Sequence, residues 1–236
     1  MADAAVWTRI RADLEADLAA GRYRPGDRLP SEAALSARFG VNRHTVRRAL
    51  AALAEAGFVH PRRGAGVFVT AKPTDYKLGP RTRFRQNLLD AGRAPERRIL
   101  GLETRAADAE EAEALGLAPG APVHVCDGVN LADGAPIAVF RSVFGADRFP
   151  ALKAALAETR SITAALARVG VDDYTRRSTR LTAEAADAVC ARHLLLPEGA
   201  PVLRSVAINV DVDGRPVEYG RSWFAGARVQ LVVETG

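Results

Sequence analysis

The chain has 236 residues, 48% hydrophobic and 26% charged, and its net charge of +5 lies wholly in residues 1–73, where 12 Lys+Arg face 7 Asp+Glu. No apolar run reaches the roughly 18 residues of a transmembrane helix, and the acidic, alanine-rich start lacks the features of a signal peptide. We therefore expect a cytoplasmic protein of one or two cores, without membrane contact, whose basic end meets a polyphosphate.

The first predicted element is a helix, indicated by apolar residues at helical spacing: Trp7, Ile10, Leu14 and Leu18. Two shorter helices around a tight turn follow. Ser31 is placed to cap the first of them, in which Leu35 and Phe39 lie four apart on the buried face. Gly40 ends this helix.

The second short helix is capped by Asn42 and buries Val46, Leu50 and Leu53 at helical spacing. The spacing leaves four residues on or near the opposite, N-terminal surface, where they can reach a DNA groove: Arg43, His44, Thr45 and Arg47. Two short helices about a tight turn are typical of a helix-turn-helix, although this pattern alone is weak evidence for DNA binding.

A wing follows, indicated by two short apolar strands around a basic, glycine-containing turn at residues 58–69. The helix-turn-helix, the wing and the basic excess together favour DNA binding over the alternative that the arginines are only solvated. Pro73 and the polar residues around it break the last strand. We therefore predict a winged helix-turn-helix domain over residues 1–73 and a linker over residues 74–82.

Residues 83–236 contain an internal repeat. Three segments recur 79 or 80 positions later: 120–123 as 199–202, 133–137 as 213–217, and 141–144 as 221–224. In each copy a helix leads through a Pro/Gly turn to a strand, an Asp-Gly hairpin turn and a second strand. The predicted fold class is α+β, with an antiparallel-sheet domain built by duplication around a shared sheet.

Alternation along the second strand of each hairpin places Arg141 and Arg221 among apolar residues. Such an arginine is either paired at the margin of the core or lines a cavity, and both alternatives stay open. Ser161 opens a helix between the two copies, where it is either a helix cap or a ligand contact.

The sequence holds no catalytic or metal-binding pattern. Its four histidines are scattered, its two cysteines are isolated, and it has no nucleophile elbow, phosphate-binding loop or dinucleotide fingerprint. We expect no metal and no cofactor, and binding rather than catalysis.

Residues 30–32, 41–50 and 63–66 resemble the winged-helix domain of the GntR family of bacterial transcription regulators. The second module resembles the effector-binding (UTRA) domain of that family's HutC branch, whose fold is that of chorismate lyase, at residues 116–117, 133–137, 148–150, 161–163 and 216–219. Residues 75–78 and 83–89 resemble members associated with phosphonate or phosphate acquisition. The resemblance implies a chorismate-lyase-like effector-binding domain over residues 83–236.

The resemblance also implies a repressor that binds double-stranded operator DNA as a homodimer and responds to a small molecule. It implies that seven residues face DNA: Glu32, Arg43, His44, Thr45, Arg47, Arg63 and Gly64. It implies that six lie near the effector cavity: Arg81, Arg83, Ser161, Thr163, Glu218 and Arg221. Because arginines concentrate at residues 81–85, we expect an anionic effector, a phosphonate or phosphate compound.

The second module departs from the family pattern at two places. Many sugar-phosphate-binding members have Arg-x-Arg where this chain has Gly128-Val129-Asn130, and Glu where it has Phe140. We therefore expect a ligand bound differently from an amino-sugar phosphate. Two alternatives remain: an enzyme of the chorismate-lyase type, for which the sequence offers no acid-base group, and a regulator of a catabolic operon that responds to a metabolite without phosphorus.

Overall fold

The computed structural model describes residues 2–24, 26–56, 58–62, 64–69 and 73–234. The chain divides into two compact units, residues 1–72 and 73–236. Arg63, a predicted DNA contact, lies outside the described residues. In the described part of the chain, no helix has the length and apolarity needed to cross a membrane.

The first unit holds three helices and a two-stranded hairpin: α1 (Ala2–Ala19), α2 (Glu32–Phe39), α3 (Arg43–Glu55), β1 (Val59–Arg62) and β2 (Gly66–Val69). The predicted caps are confirmed. Ser31 Oγ accepts a hydrogen bond from the Ala34 amide at 3.2 Å, and Asn42 Oδ1 accepts one from the Thr45 amide at 2.9 Å. Gly40 ends α2 in the left-handed conformation, with φ of 64°.

A single apolar core joins α1, α2, α3 and the hairpin. Leu14, Leu35, Val46 and Leu53 are fully buried in it, as their helical spacing predicts. Strands β1 and β2 pair antiparallel, and Arg28 forms an isolated bridge to Phe68. The predicted winged helix-turn-helix is confirmed.

The second unit is built on a six-stranded antiparallel sheet in the order β4-β5-β6-β9-β8-β7. Its elements are β3 (Thr74–Lys77), α4 (Phe84–Asp90), β4 (Pro95–Ala106), α5 (Ala109–Leu115), β5 (Pro122–Ala132), β6 (Ala135–Gly145), α6 (Leu152–Thr159), α7 (Ile162–Arg168), β7 (Thr175–Ala185), α8 (Ala188–Leu194), β8 (Pro201–Val210), β9 (Pro216–Ala225) and β10 (Val229–Val232). The segment predicted as a linker includes β3, which pairs in parallel with β10.

The predicted duplication is confirmed by the order of the elements. Each copy supplies an outer strand, a helix and a hairpin: β4-α5-β5-β6 in the first, and β7-α8-β8-β9 in the second. The two copies meet where β6 pairs with β9, and there Arg141 lies directly opposite Arg221. The sheet therefore has an approximate two-fold relation about its centre.

The two faces of the sheet are covered differently. On the first face, Phe140 and Phe144 pack with α6 and α7. On the second face, Val143 and Tyr219 pack with α5, and Trp223 packs with α8. Neighbouring residues of a strand point to opposite faces of a sheet. The even-numbered residues of β9 from 218 to 224 therefore point to the first face.

Candidate functional site

The N-terminal half of α3 presents basic side chains to solvent. Arg43, His44 and Arg47 are exposed, and no acidic residue occurs in the first turn of the helix. We call these three residues the α3 surface. Thr45, also predicted to face DNA, is 5% exposed, and its hydroxyl lies 3.0 Å from Asn42 Oδ1. Thr45 therefore supports the turn that places the α3 surface.

Glu32 connects α2 to the α3 surface. Arg47 donates to both of its carboxylate oxygens, Nη2 to Oε2 at 3.0 Å and Nε to Oε1 at 3.3 Å. This hydrogen bonding lowers the pKa of Glu32 from its ordinary value. The pair is exposed and thus contributes little stability, but it restrains the Arg47 guanidinium before any partner arrives.

The hairpin turn adds a second exposed segment to the first unit. Gly64 is exposed and adopts φ of 75°, a conformation that favours glycine. Sequence reasoning did not single out Arg28, whose side chain lies over Gly66: a Cβ at Gly66 would be 2.7 Å from Arg28 Nε. Arg28 follows Gly26 and Asp27 with no motif to mark it, so only the fold reveals its position beside the wing.

The second unit contains a small cavity of about 80 Å³ on the first face of the sheet. Its polar and aromatic lining comes from the sheet, β3, the start of α4, α7 and the segment before β7: Tyr76, Thr82, Arg83, Phe84, Arg97, Asn130, Phe140, Ser142, Thr163, Tyr174, Arg176, Ser205, Asn209, Glu218, Ser222 and Phe224. Several polar groups converge in this small cavity, which is typical of a site that orients a compact ligand.

Two arginine–asparagine pairs frame the cavity. Arg97 on β4 lies opposite Asn130 and donates from Nε to its Oδ1 at 2.9 Å. Arg176 on β7 lies opposite Asn209 and donates in the same way at 3.4 Å. The two pairs are 79 positions apart in the duplication. Sequence reasoning missed both arginines, although this recurrence of Arg and Asn at the repeat offset was a signal that could have found them.

Arg97 is the more enclosed of the two cations. Its guanidinium carbon lies 4.7 Å from the centre of the Phe140 ring and 5.2 Å from that of Phe84. Burial lowers the pKa of the Arg97 guanidinium, whose ordinary value is so high that it stays charged at neutral pH. The cavity therefore holds a poorly hydrated positive charge.

Glu218, which is predicted to lie near the effector cavity, lines the same cavity as Arg97 and Arg176. Its side chain is buried, and its Oε2 accepts a hydrogen bond from Asn209 Nδ2 at 2.6 Å. Asn209 therefore links Arg176 to Glu218 through a single amide group.

Three other predicted residues lie at or beside the cavity. Arg83 donates to the Tyr174 carbonyl at 2.6 Å, and its guanidinium carbon lies 3.4 Å from the centre of that ring. Thr163 Oγ1 lies 3.0 Å from the Tyr174 hydroxyl. Ser161 lines an adjoining cleft, and its hydroxyl caps α7 by accepting from the Ala164 amide at 3.3 Å.

Arg81 lies outside the cavity and binds Asp173 through both carboxylate oxygens, at 2.6 and 3.3 Å. This hydrogen bonding lowers the pKa of Asp173. Arg83 also reaches the Asp173 carboxylate, at 3.5 Å. Arg81 and Arg83 therefore share one carboxylate, so these three side chains together carry a net charge of +1.

The structure does not bring Arg221 to the cavity. Glu218 and Arg221 are three residues apart on one strand, so their side chains point to opposite faces of the sheet. Arg221 donates to the fully buried Glu111 at 3.0 Å, on the face covered by α5. Arg141 is paired as well, with both oxygens of Asp127. Of the two alternatives left open by the sequence, Arg141 and Arg221 are therefore paired at the margin of the core and do not line the cavity.

The two departures from the family pattern touch each other. A Cβ at Gly128 would lie 2.6 Å from the Phe140 ring and 2.5 Å from the Arg98 carbonyl oxygen. The ring thus occupies space that any side chain at position 128 would need. Among the described residues, no group of three or more His, Cys, Asp or Glu side chains is placed to hold a metal ion.

Comparison with known proteins gives matches to two family models: the gntR family of bacterial regulatory proteins at residues 7–69 and the UTRA domain at residues 90–230. The chain is 40% identical to the Rhizobium meliloti "Uncharacterized HTH-type transcriptional regulator RB1450", over 98% of this chain and 95% of that protein. It is 34% identical to the Escherichia coli "Probable transcriptional regulator PhnF", over 97% and 94%. The crystal structure of PhnF from Mycobacterium smegmatis matches with a TM-score of 0.67 and 27% identity, covering 96% of this chain and 99% of that one.

Proposed function

The chain belongs to the GntR family of bacterial transcription regulators and carries a UTRA domain, and from this membership we propose that it represses phosphonate or phosphate acquisition genes and releases its operator on binding a small anion. The observation that carries the effector proposal is the pair Arg97 and Arg176 in a cavity where, among the described lining residues, Glu218 is the one carboxylate. Relatives named PhnF support the choice of target genes.

Operator reading is assigned to the α3 surface. Arg43 stands at the first position of α3, exposed and without an acidic residue in its own turn, so it is free to make a bidentate contact with guanine. Arg43→Ala is expected to cost about 1–3 kcal/mol on operator DNA and to reduce the preference over random duplex. A suitable operator is a duplex that the wild-type protein selects from a random-sequence library.

Arg63 in the wing is assigned to the phosphate backbone. Arg63→Ala is then expected to weaken operator and random duplex alike and to make the salt dependence shallower by about one unit. Arg192→Ala removes the same charge from an exposed site on α8 and serves as the control. Equal loss of specificity from Arg43→Ala and Arg63→Ala would contradict these assignments.

Two copies of the chain are expected to bind one operator, because a single winged unit offers few base contacts and a dimer doubles them at a fixed half-site spacing. Light scattering should give twice the monomer mass of 25.1 kDa, and footprinting should protect two related half-sites. A monomer that protects one half-site would refute the proposal.

The effector proposal is tested by calorimetric titration of inorganic phosphate, methylphosphonate and a sugar phosphate, with and without operator. An anion that weakens operator binding by some factor must itself bind more weakly to the operator complex by the same factor. Arg97→Met and Arg83→Ala are expected to weaken anion binding, and Arg192→Ala is the control. Binding of uncharged compounds alone, with no anion bound, would refute an anionic effector and favour regulation of a catabolic operon.

A further inference from the structure

The two halves of the cavity are related by the duplication but are not equal. Related positions carry the same residue in three cases: Arg97 and Arg176, Asn130 and Asn209, and Ser142 and Ser222. Among the positions that break the relation, two bear on the ligand. Glu218 corresponds to Ala138, and Gly220 corresponds to Phe140. One half of the cavity therefore holds a carboxylate beside open space, while the other half is filled by an aromatic ring.

Gly220 leaves the space next to Glu218 open. A Cβ built there would meet Glu218 Oε1 at 3.5 Å and the Ala207 carbonyl oxygen at 3.9 Å, which are ordinary contacts. The Oε1 atom of Glu218 thus borders open volume of the cavity, while Oε2 is taken by Asn209. A ligand seated over Gly220 would contact a carboxylate oxygen.

Four other polar groups of the cavity are hydroxyls without a hydrogen-bond partner among the described residues. In the described part of the chain, the hydroxyls of four lining residues make no hydrogen bond: Tyr76, Ser142, Ser205 and Ser222. Tyr76, Ser142 and Ser205 are 6%, 3% and 4% exposed, so their hydroxyls have little access to bulk water. These hydroxyls border the cavity and are free to donate to a ligand there, and a tetrahedral oxyanion offers several acceptors.

The charged groups that line the cavity act on different parts of a ligand. Arg83, Arg97 and Arg176 line it as cations, and Arg83 shares the single charge of Asp173 with Arg81. Glu218 contributes one negative charge to the same cavity. A ligand that carried only an acidic head would bring its oxygens to the Glu218 carboxylate, at a cost that is large where water is scarce.

We propose that the effector is a zwitterion, a phosphonate or phosphate that carries an amino group, with its acidic head on Arg97, Arg176 and the hydroxyls and its ammonium on Glu218. This inference rests on the proposed function as an anion-responsive regulator. The spacer is short, because a single amide, that of Asn209, separates the Arg176 guanidinium from the Glu218 carboxylate. Two or three carbon atoms between phosphorus and nitrogen match that separation.

The test is a calorimetric comparison of 2-aminoethylphosphonate with ethylphosphonate, using the full chain. These probes have the same acidic head and nearly the same size and differ in the amino group. The wild-type protein is expected to bind 2-aminoethylphosphonate at least tenfold more tightly. Glu218→Gln keeps the volume of the side chain but removes its charge, and it is expected to reduce this advantage to less than threefold while ethylphosphonate binding is retained.

Three further variants keep the result interpretable. Glu113→Gln removes a charge from an exposed site on α5 and should leave both affinities unchanged. Gly220→Ala places a methyl group in the cavity without a backbone clash and should weaken both probes. Should Glu218→Gln fail to fold, as judged by circular dichroism, Glu218→Asp takes its place. This variant keeps the charge on a side chain shorter by one methylene, so the preference for 2-aminoethylphosphonate over ethylphosphonate should fall.

The inference is overturned if the wild-type protein binds the two phosphonates equally, or if the advantage of the amine survives in Glu218→Gln. In both cases the proposed function stands as long as a phosphonate still releases the operator. If neither phosphonate nor inorganic phosphate binds, the anionic effector and the zwitterion fail together.

Discussion

Glu111 is the side chain whose loss should most weaken the second unit. It is fully buried on α5 and accepts four hydrogen bonds: from Arg105 Nη1 and Nη2 at 2.7 Å each, from Arg221 Nη2 at 3.0 Å and from the Asp108 amide at 3.1 Å. These bonds tie β4 at the sheet edge to β9 at its centre. Glu111→Gln preserves the shape, but it removes the charge and turns an NH₂ group toward a guanidinium.

The expected loss follows from these contacts. At least two charge-assisted hydrogen bonds disappear, each worth about 1.5–3 kcal/mol. The Arg105 side chain is 30% exposed and regains water, whereas that of Arg221 is 15% exposed and keeps a poorly solvated charge. Removing one partner of such a buried pair typically costs about 3–5 kcal/mol, and we expect Glu111→Gln to fall at the lower end of this range.

The assay is urea unfolding followed by the fluorescence of Trp223, in a Trp7→Phe background that silences the other tryptophan. Because Trp223 packs against α8 in the second unit, its signal reports that unit alone. Glu113→Gln, on the exposed side of α5, is the matched control and should change the unfolding free energy by less than about 0.5 kcal/mol.

The effect of pH tests the electrostatic origin of this stability. Hydrogen bonds from Arg105 hold the pKa of Glu111 below its ordinary value of about 4.3. A carboxyl with a depressed pKa contributes stability that is full above the unfolded-state pKa and is lost as the pH falls through the folded-state pKa. The difference between wild type and Glu111→Gln should thus stay constant from pH 8 to about pH 5 and shrink below about pH 4. A pH-independent difference, or one no larger than that of Glu113→Gln, would refute this reasoning.

Three further predictions concern packing and reactivity. Leu53→Ala empties a fully buried site in the first unit and should cost about 2–5 kcal/mol in urea unfolding followed by Trp7. Gly128→Ala should destabilise the second unit by about 1–3 kcal/mol, and adding Phe140→Leu should not restore stability, because the Arg98 carbonyl oxygen 2.5 Å from the new Cβ is backbone. Burial raises the pKa of the Cys126 thiol to about 12, so a thiol-specific reagent at pH 8 should label Cys126 only as fast as the chain unfolds; rapid labelling of the native protein would contradict its burial.

Local signals predicted the first unit well. The caps at Ser31 and Asn42 and the glycine at position 40 act within four residues of themselves, so the sequence alone locates the ends of α2 and α3. The duplication predicted the antiparallel sheet for a related reason: each Asp-Gly turn specifies its own hairpin, and repeating the unit implies a shared sheet.

The cavity was harder to predict, because its residues come from strands that are distant in sequence. Arg97 and Arg176 lie on the outermost strands of the sheet and meet at one cavity only because the intervening strands bring them there. Arg221 was assigned to the same site as Glu218 from a resemblance read position by position, and the alternation of β9 contradicts that grouping. Arg63 stays a prediction, since it lies outside the described residues.

The shape of the cavity connects the departures from the family pattern to the size of the ligand. At the positions where many sugar-phosphate-binding members of the family carry arginine and glutamate, this chain has Gly128 and Phe140. Gly128 lies beneath the Phe140 ring, which also contacts Arg97. The Phe140 ring fills one half of the cavity, and the related half, over Gly220, is open. A ligand therefore has only the half over Gly220 to occupy. A sugar ring would have to displace Phe140 from its buried position, at the cost of its packing with α6 and α7. A compact ligand avoids that cost, because both arginines and Glu218 are within reach of a chain of a few atoms.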